Sequence, residues 1–147
     1  FANFPFICSN YDFSKTILSN KTIPYKILEK KGLKIGLFGI GVKLEGLVDK
    51  KLYGNTIYND PIVSANKYAN YLKQDQQCHL VICLSHLGFS YKSDKISDEV
   101  LAKNTSNIDI ILGGHTHTFF EKASVYKNKF GKQVLVNQAG WGALSLG

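Results

Sequence analysis

Two short motifs hold three of the chain's four histidines: Ser85-His86-Leu87-Gly88 and Gly113-Gly114-His115-Thr116-His117. Imidazole is the commonest nitrogen ligand for Zn, Mn, Fe and Co, so two His-bearing loops brought together predict a metal site. The two glycines before His115 predict a sharp turn and a close approach of the backbone to an ion. His115 and His117 stand two residues apart, so a locally extended backbone would point both rings the same way. A lone histidine at a strand end, as His86 would be by itself, is ordinarily a hydrogen-bonded structural residue. The second motif shifts the balance toward a ligand set of His86, His115 and His117. His79 lies at the start of its apolar run, away from both loops, and is given no role.

The elements that must hold these loops follow from the hydrophobic pattern. Residues 78–84 and 108–112 are short apolar runs, read as strands, the first buried on both faces. Each runs straight into one histidine motif. Upstream, residues 4–10 read as a buried strand entering a loop. Residues 23–30 and 33–40 read as a hairpin turning at Lys31-Gly32, and 41–60 as loop. Asp60-Pro61 marks a helix start, with Asp at the N-cap and Pro at the first helical position. Ile62, Ala65, Ala69 and Leu72 then fall on one helical face, running to about Asp75. Residues 97–103 form a second, shorter helix. Residues 121–128 and 133–139 form a hairpin, and 143–146 begin a further strand. Strand-helix-strand-helix-strand in the middle of the chain predicts an α/β fold with a parallel sheet and right-handed crossovers. Such sheets bind ligands beyond the carboxyl ends of their strands, which is where the three histidines fall.

Composition narrows the function classes. The chain has 147 residues and is 44% hydrophobic, enough for one globular domain. No apolar run approaches the ~20 residues of a membrane-spanning helix. The net charge of +7 comes from 18 lysines with no arginine, scattered from Lys15 to Lys132. Bidentate phosphate recognition and base readout favour arginine, so a nucleic-acid partner is discounted; a basic nucleic-acid binder is the third reading and would require steeply salt-dependent binding. Cys8, Cys78 and Cys83 sit in apolar stretches without a Cys-x-x-Cys motif and read as packed thiols. Ser9, Ser14 and Ser85 lack a nucleophile-elbow context. Asp94, Asp98 and Glu99 read as residues that cap and solvate a helix. Asn10, near the active edge, and Trp141, after Gly140, are candidate substrate-binding residues. The chain begins at Phe1 rather than Met, so further sequence is expected upstream, and any signal region would lie there.

Ser85-His86-Leu87-Gly88 followed by Gly114-His115-Thr116-His117 resembles the C-terminal half of a calcineurin-like metallophosphoesterase domain of the 5′-nucleotidase branch. Ser9-Asn10, the LKIGLFGIG segment and Asn137-Gln138-Ala139-Gly140 fit the same branch. The resemblance implies a layered αββα fold, of which residues 1–147 form a single partial domain. It implies a dinuclear hydrolase of nucleotide phosphate monoesters using two divalent ions (Zn, Mn, Fe or Co). His86 and His115 would bind one ion and His117 the other. The family's Asp-x-His, Gly-Asp and Gly-Asn-His-Glu motifs do not occur in the chain, and Gly54-Asn55-Thr56 lacks the histidine. The family's catalytic His-Asp pair is therefore expected in a missing N-terminal half, and no residue of this chain is assigned as catalytic. By itself the chain is expected to hold at most one metal weakly, to be inactive, and to leave one side of its sheet uncovered. Members of this branch are commonly periplasmic or exported, which the resemblance implies here. The alternatives are a non-catalytic metal-binding or scaffold domain and a cyclic-nucleotide phosphodiesterase.

Overall fold

The structure, a computed structural model, describes residues 2–142 and Leu144. The expected strand at 143–146 lies outside the described residues, apart from the exposed Leu144. The elements run β1 (Phe6–Ile7), β2 (Tyr11–Asp12), β3 (Thr22–Ile23), β4 (Tyr25–Lys30), β5 (Leu33–Gly41), α1 (Lys50–Tyr53) and β6 (Ile57–Tyr58). They continue with α2 (Pro61–Asn70), β7 (Leu80–His86), α3 (Asp98–Asn104), β8 (Ile110–Leu112), β9 (Ser124–Lys127) and β10 (Gln133–Asn137).

Six strands form one sheet in the order β4-β5-β7-β8-β10-β9. The four inner strands are parallel, with β7 paired directly to both β5 and β8, as the alternation of strands and helices predicts. The outer strands are antiparallel to their neighbours, each joined to one by a hairpin. Lys31 and Gly32 both take left-handed φ, 49° and 79°, as a two-residue hairpin turn requires. At the other hairpin the Asn128 side chain accepts from Phe130 N and Lys132 N, closing the turn.

Helix α2 begins as its sequence dictates: Asp60 caps it, its side chain accepting from Val63 N, and Pro61 follows. It continues as a π-helical turn over Tyr71–Asp75. Ala65, Ala69 and Leu72 from this segment and Leu101 and Ala102 from α3 pack on Phe38, Val81, Cys83, Ile111, Val134 and Val136. Those strand residues share one face by alternation and register. This is the core, and it lies entirely on the helical side of the sheet.

The opposite face differs from expectation. Strand β7 is buried on one face only: Val81, Cys83 and Ser85 are buried, whereas Leu84 is 39% and Leu112, its register partner on β8, 45% exposed. Leu135 and Val125, paired with each other, continue this exposed apolar surface. Among the described residues helices cover one side only, so the alternation expected of an antiparallel sheet appears on parallel strands.

Two further segments depart from the sequence reading. Residues 4–10 are not one buried strand. Only Phe6 and Ile7 pair, with Thr22 and Ile23, and Phe4 and Phe6 are exposed. Ser9 and Asn10 are the buried part, stitched to β5 by side-chain hydrogen bonds. Residues 41–60 carry the short helix α1, capped by Asp49, and strand β6, which pairs with β2. Elements this short carry no periodicity for a sequence to reveal. The cysteines are as expected: all three are free, with Cys78 and Cys83 buried.

Candidate metal centre

Strand β7 extends two residues beyond the apolar run, so His86 ends the strand rather than opening the loop. Its register partner is Gly41, which places it on the open face with Leu84. Ser85, one residue earlier, points the other way, into the helical layer, and is buried. Period-two alternation thus divides the labour: Ser85 anchors and His86 presents.

His115 follows β8 on the adjacent loop. The His86 and His115 rings lie edge to face with centroids 5.1 Å apart. Two imidazoles sharing a tetrahedral ion through bonds of about 2.1 Å would have centroids about 5 Å apart. The pair has imidazole donors, and its ring-centroid spacing matches that of two rings on one ion. Burial and the like charges of His86, Lys95 and His117 push the His115 imidazole below its ordinary value. The shift favours the neutral imidazole, the form with a lone pair to offer. His117 stands apart from this pair, against Trp141, with ring centroids 6.1 Å apart at 30°. Among the described residues, no group of three His, Cys, Asp or Glu side chains is gathered closely enough to hold an ion.

The loop is built differently from the sequence reading. The segment is not extended, and neither Gly113 nor Gly114 supplies its turn. The left-handed residues are His115, φ 76°, and His117, φ 55°. Such conformations cost a non-glycine residue on the order of 1 kcal/mol or more and cluster at functional sites. The glycines serve close approach. A Cβ on Gly113 would collide with Asp98 Oδ2 and crowd Gln138, and one on Gly114 would stand 3.2 Å from His86 Nδ1.

Asp98 corrects another expectation. Ser97, not Asp98, caps α3, and Asp98 is fully buried rather than solvated. Its carboxylate accepts from Ser85 Oγ at 2.5 Å and Gln138 Nε2 at 3.1 Å. Burial pushes it up to about 6, against the opposing pull of those two hydrogen bonds. An acidic residue in the first turn of a short helix reads as surface, and no local signal in the sequence says otherwise. Glu99 and Asp94 are at or near the surface, as expected, with Glu99 paired to Lys103 at 2.6 Å.

Of the substrate candidates, Asn10 lies at the carboxyl end of β5, but its amide is taken up by Gly41. Nδ2 donates to Gly41 O, and Oδ1 accepts from Gly41 N, both at 2.8 Å. Trp141 is 61% exposed beside His117. His79 serves the backbone, its Nδ1 accepting from Lys34 N.

A profile of the calcineurin-like phosphoesterase family matches residues 8–119. The chain belongs to this family. It is 31% identical to the trifunctional nucleotide phosphoesterase protein YfkN of Bacillus subtilis, over 72% of this chain and 7% of that protein. It is 28% identical to the snake venom 5′-nucleotidase of Gloydius brevicauda, over 94% of this chain and 25% of that enzyme. Among solved structures, the NAD nucleotidase NadN of Haemophilus influenzae superposes with a TM-score of 0.75 at 28% identity, over 94% of this chain and 26% of NadN. The chain thus spans a quarter or less of the curated relatives it matches.

Proposed function

We propose that the protein containing this chain is a metal-dependent phosphoester hydrolase of the 5′-nucleotidase type, acting on nucleotide phosphate monoesters. One observation carries the reading: in a chain of this family, His86 and His115 lie ring to ring at the carboxyl edge of the parallel sheet, 5.1 Å apart. The nucleotide class is supported by the names of the relatives, each an enzyme of nucleotides. The venom relative is in keeping with export. No helix among the described residues is long and apolar enough to cross a membrane.

In this reading His86, His115 and His117 are ligands of two divalent ions, of Zn, Mn, Fe or Co. Such ions supply charge neutralisation on the phosphate and a hydroxide nucleophile at neutral pH. The chain's own part is to hold and orient. The downward shift at His115 favours the neutral form that a metal ion binds. His86 projects from the rigid end of β7 onto the open face, where the carboxylate ligands and the catalytic His-Asp pair would enter from outside this chain. Trp141 offers a flat apolar surface beside His117 for a planar leaving group.

The test is phosphate release from 5′-nucleotides by the full-length protein with Mn or Zn. Chelation should abolish it, and His115→Ala or His117→Ala should lower kcat/KM by about two orders of magnitude or more. Full activity after EDTA would overturn the metal mechanism. Metal binding without phosphate release would favour the non-catalytic alternative.

A further inference from the structure

The two histidine loops do not touch the sheet core independently. They are tied through one buried pair, Asp98 at the start of α3 and Gln138 just beyond β10, both buried. Gln138 Nε2 donates to Asp98 Oδ2 and to Gly114 O, at 3.1 and 3.0 Å. Its Oε1 accepts from Thr118 N at 3.1 Å and Thr116 Oγ1 at 3.3 Å. Thr116 Oγ1 in turn accepts from Phe89 N at 2.9 Å, in the loop after His86. Ser85, immediately before His86, donates to the other Asp98 oxygen. The network therefore holds the residue before His86, the carbonyl before His115, the side chain between the two loop histidines and the amide after His117.

Its polarity is fixed from one end. An ionised carboxylate only accepts, so the Gln138 amide must turn its NH2 toward Asp98. That leaves Gly114 O to share the NH2 and Thr118 N–H to meet the carbonyl oxygen. Reversing the amide would set oxygen against the Gly114 oxygen and NH2 against the Thr118 N–H. Two left-handed histidines in a loop of this length need such a clamp to offset their strain.

We propose that Asp98 and Gln138 are positioning residues that fix the three histidines relative to one another across two loops, and so set the geometry and affinity of the metal centre. The proposal rests on the reading of those histidines as ligands. It also gives Gly113 its purpose: any side chain there would displace the Asp98 carboxylate from the pair.

The experiment uses the full-length protein, metal-free and loaded with cobalt(II). Asp98→Leu removes both acceptors while filling the space. It should weaken cobalt binding about 10–100-fold, alter the visible cobalt spectrum, and abolish the His86–His115 ring-to-ring NOE in the metal-free, histidine-labelled protein. Asp98→Asn keeps an acceptor for Gln138 and should stay close to the wild type. Gln138→Met, which cuts the bonds to Gly114 and Thr118, should reproduce the effects of Asp98→Leu. Val134→Ala, a core lesion on β10, should lower Tm while leaving the NOE and the spectrum unchanged. Retention of the NOE and spectrum in Asp98→Leu would overturn the proposal, and so would the failure of both Asp98→Leu and Gln138→Met to fold, since that is a structural role alone. A wild type that binds no cobalt would defeat the metal reading instead. The NOE, which needs no metal, would still decide on positioning.

Discussion

At the scale of the residue, the chemistry turns on atoms that sit one or two positions away from the obvious ones. His86 and His115 announce themselves by type. Ser85, just before His86, and Gly113, two residues before His115, are both dictated by their contact with Asp98. A methyl group on Gly113 has no space, because Asp98 Oδ2 and Gln138 already occupy it. Gly113→Ala should therefore destabilise the fold by about 1–3 kcal/mol, the usual cost of overpacking. Denaturant unfolding of the variant measures this, and an unchanged midpoint would refute the close approach. The sequence reveals glycines before a histidine and suggests a sharp turn with a close backbone approach. It does not reveal that the left-handed φ falls on the histidines themselves, because that choice is made by partners far along the chain. The histidine pair was legible because two motifs end two apolar runs, whereas Asp98 was not, because burial of a carboxylate leaves no trace in local pattern.

At the scale of the element, what was legible had a period or a cap. Helix α2 carried both, in Asp60-Pro61 and an apolar face, and it begins where they place it. The β4-β5 and β9-β10 hairpins carried alternation and turn residues. Strand β7 was read two residues early and as doubly buried, because an apolar run does not say which of its faces finds a partner. Helix α3 carries an electrostatic cost, since its first residue drives a carboxylate into the core. For an acid raised from 3.8 to about 6, the folded state holds its proton more tightly than the unfolded chain. Stability from this group is therefore fully present below about pH 4 and falls as pH rises through 6, by roughly 3 kcal/mol in all. The difference in unfolding free energy between the wild type and Asp98→Asn should shrink or reverse by about that amount from pH 4 to pH 7. A difference independent of pH across that range would show that Asp98 titrates as an ordinary surface carboxylate.

At the scale of the whole molecule, the described residues finish the sheet on one side only. The helical face holds the core, while Leu84, Leu112, Leu135 and Val125 face outward with His86 at their carboxyl end. Inner parallel strands are normally covered on both faces, and a contiguous apolar face of this kind marks a contact surface. The histidine pair and the bare apolar surface share a side, so whatever layer covers the leucines also arrives beside His86 and His115. On the proposed reading, completing the core and completing the ligand set would be one event. The 147-residue chain made alone should therefore bind a hydrophobic dye such as ANS and self-associate, and Leu112→Lys should reduce both. In the full-length protein the same substitution should act in the opposite sense. There it would bury an unpaired charge against the covering layer, lowering Tm and weakening metal binding together. A full-length protein whose Tm and metal affinity are both indifferent to Leu112→Lys would leave this face to solvent, and the ligands missing from the histidine pair would have to come from elsewhere.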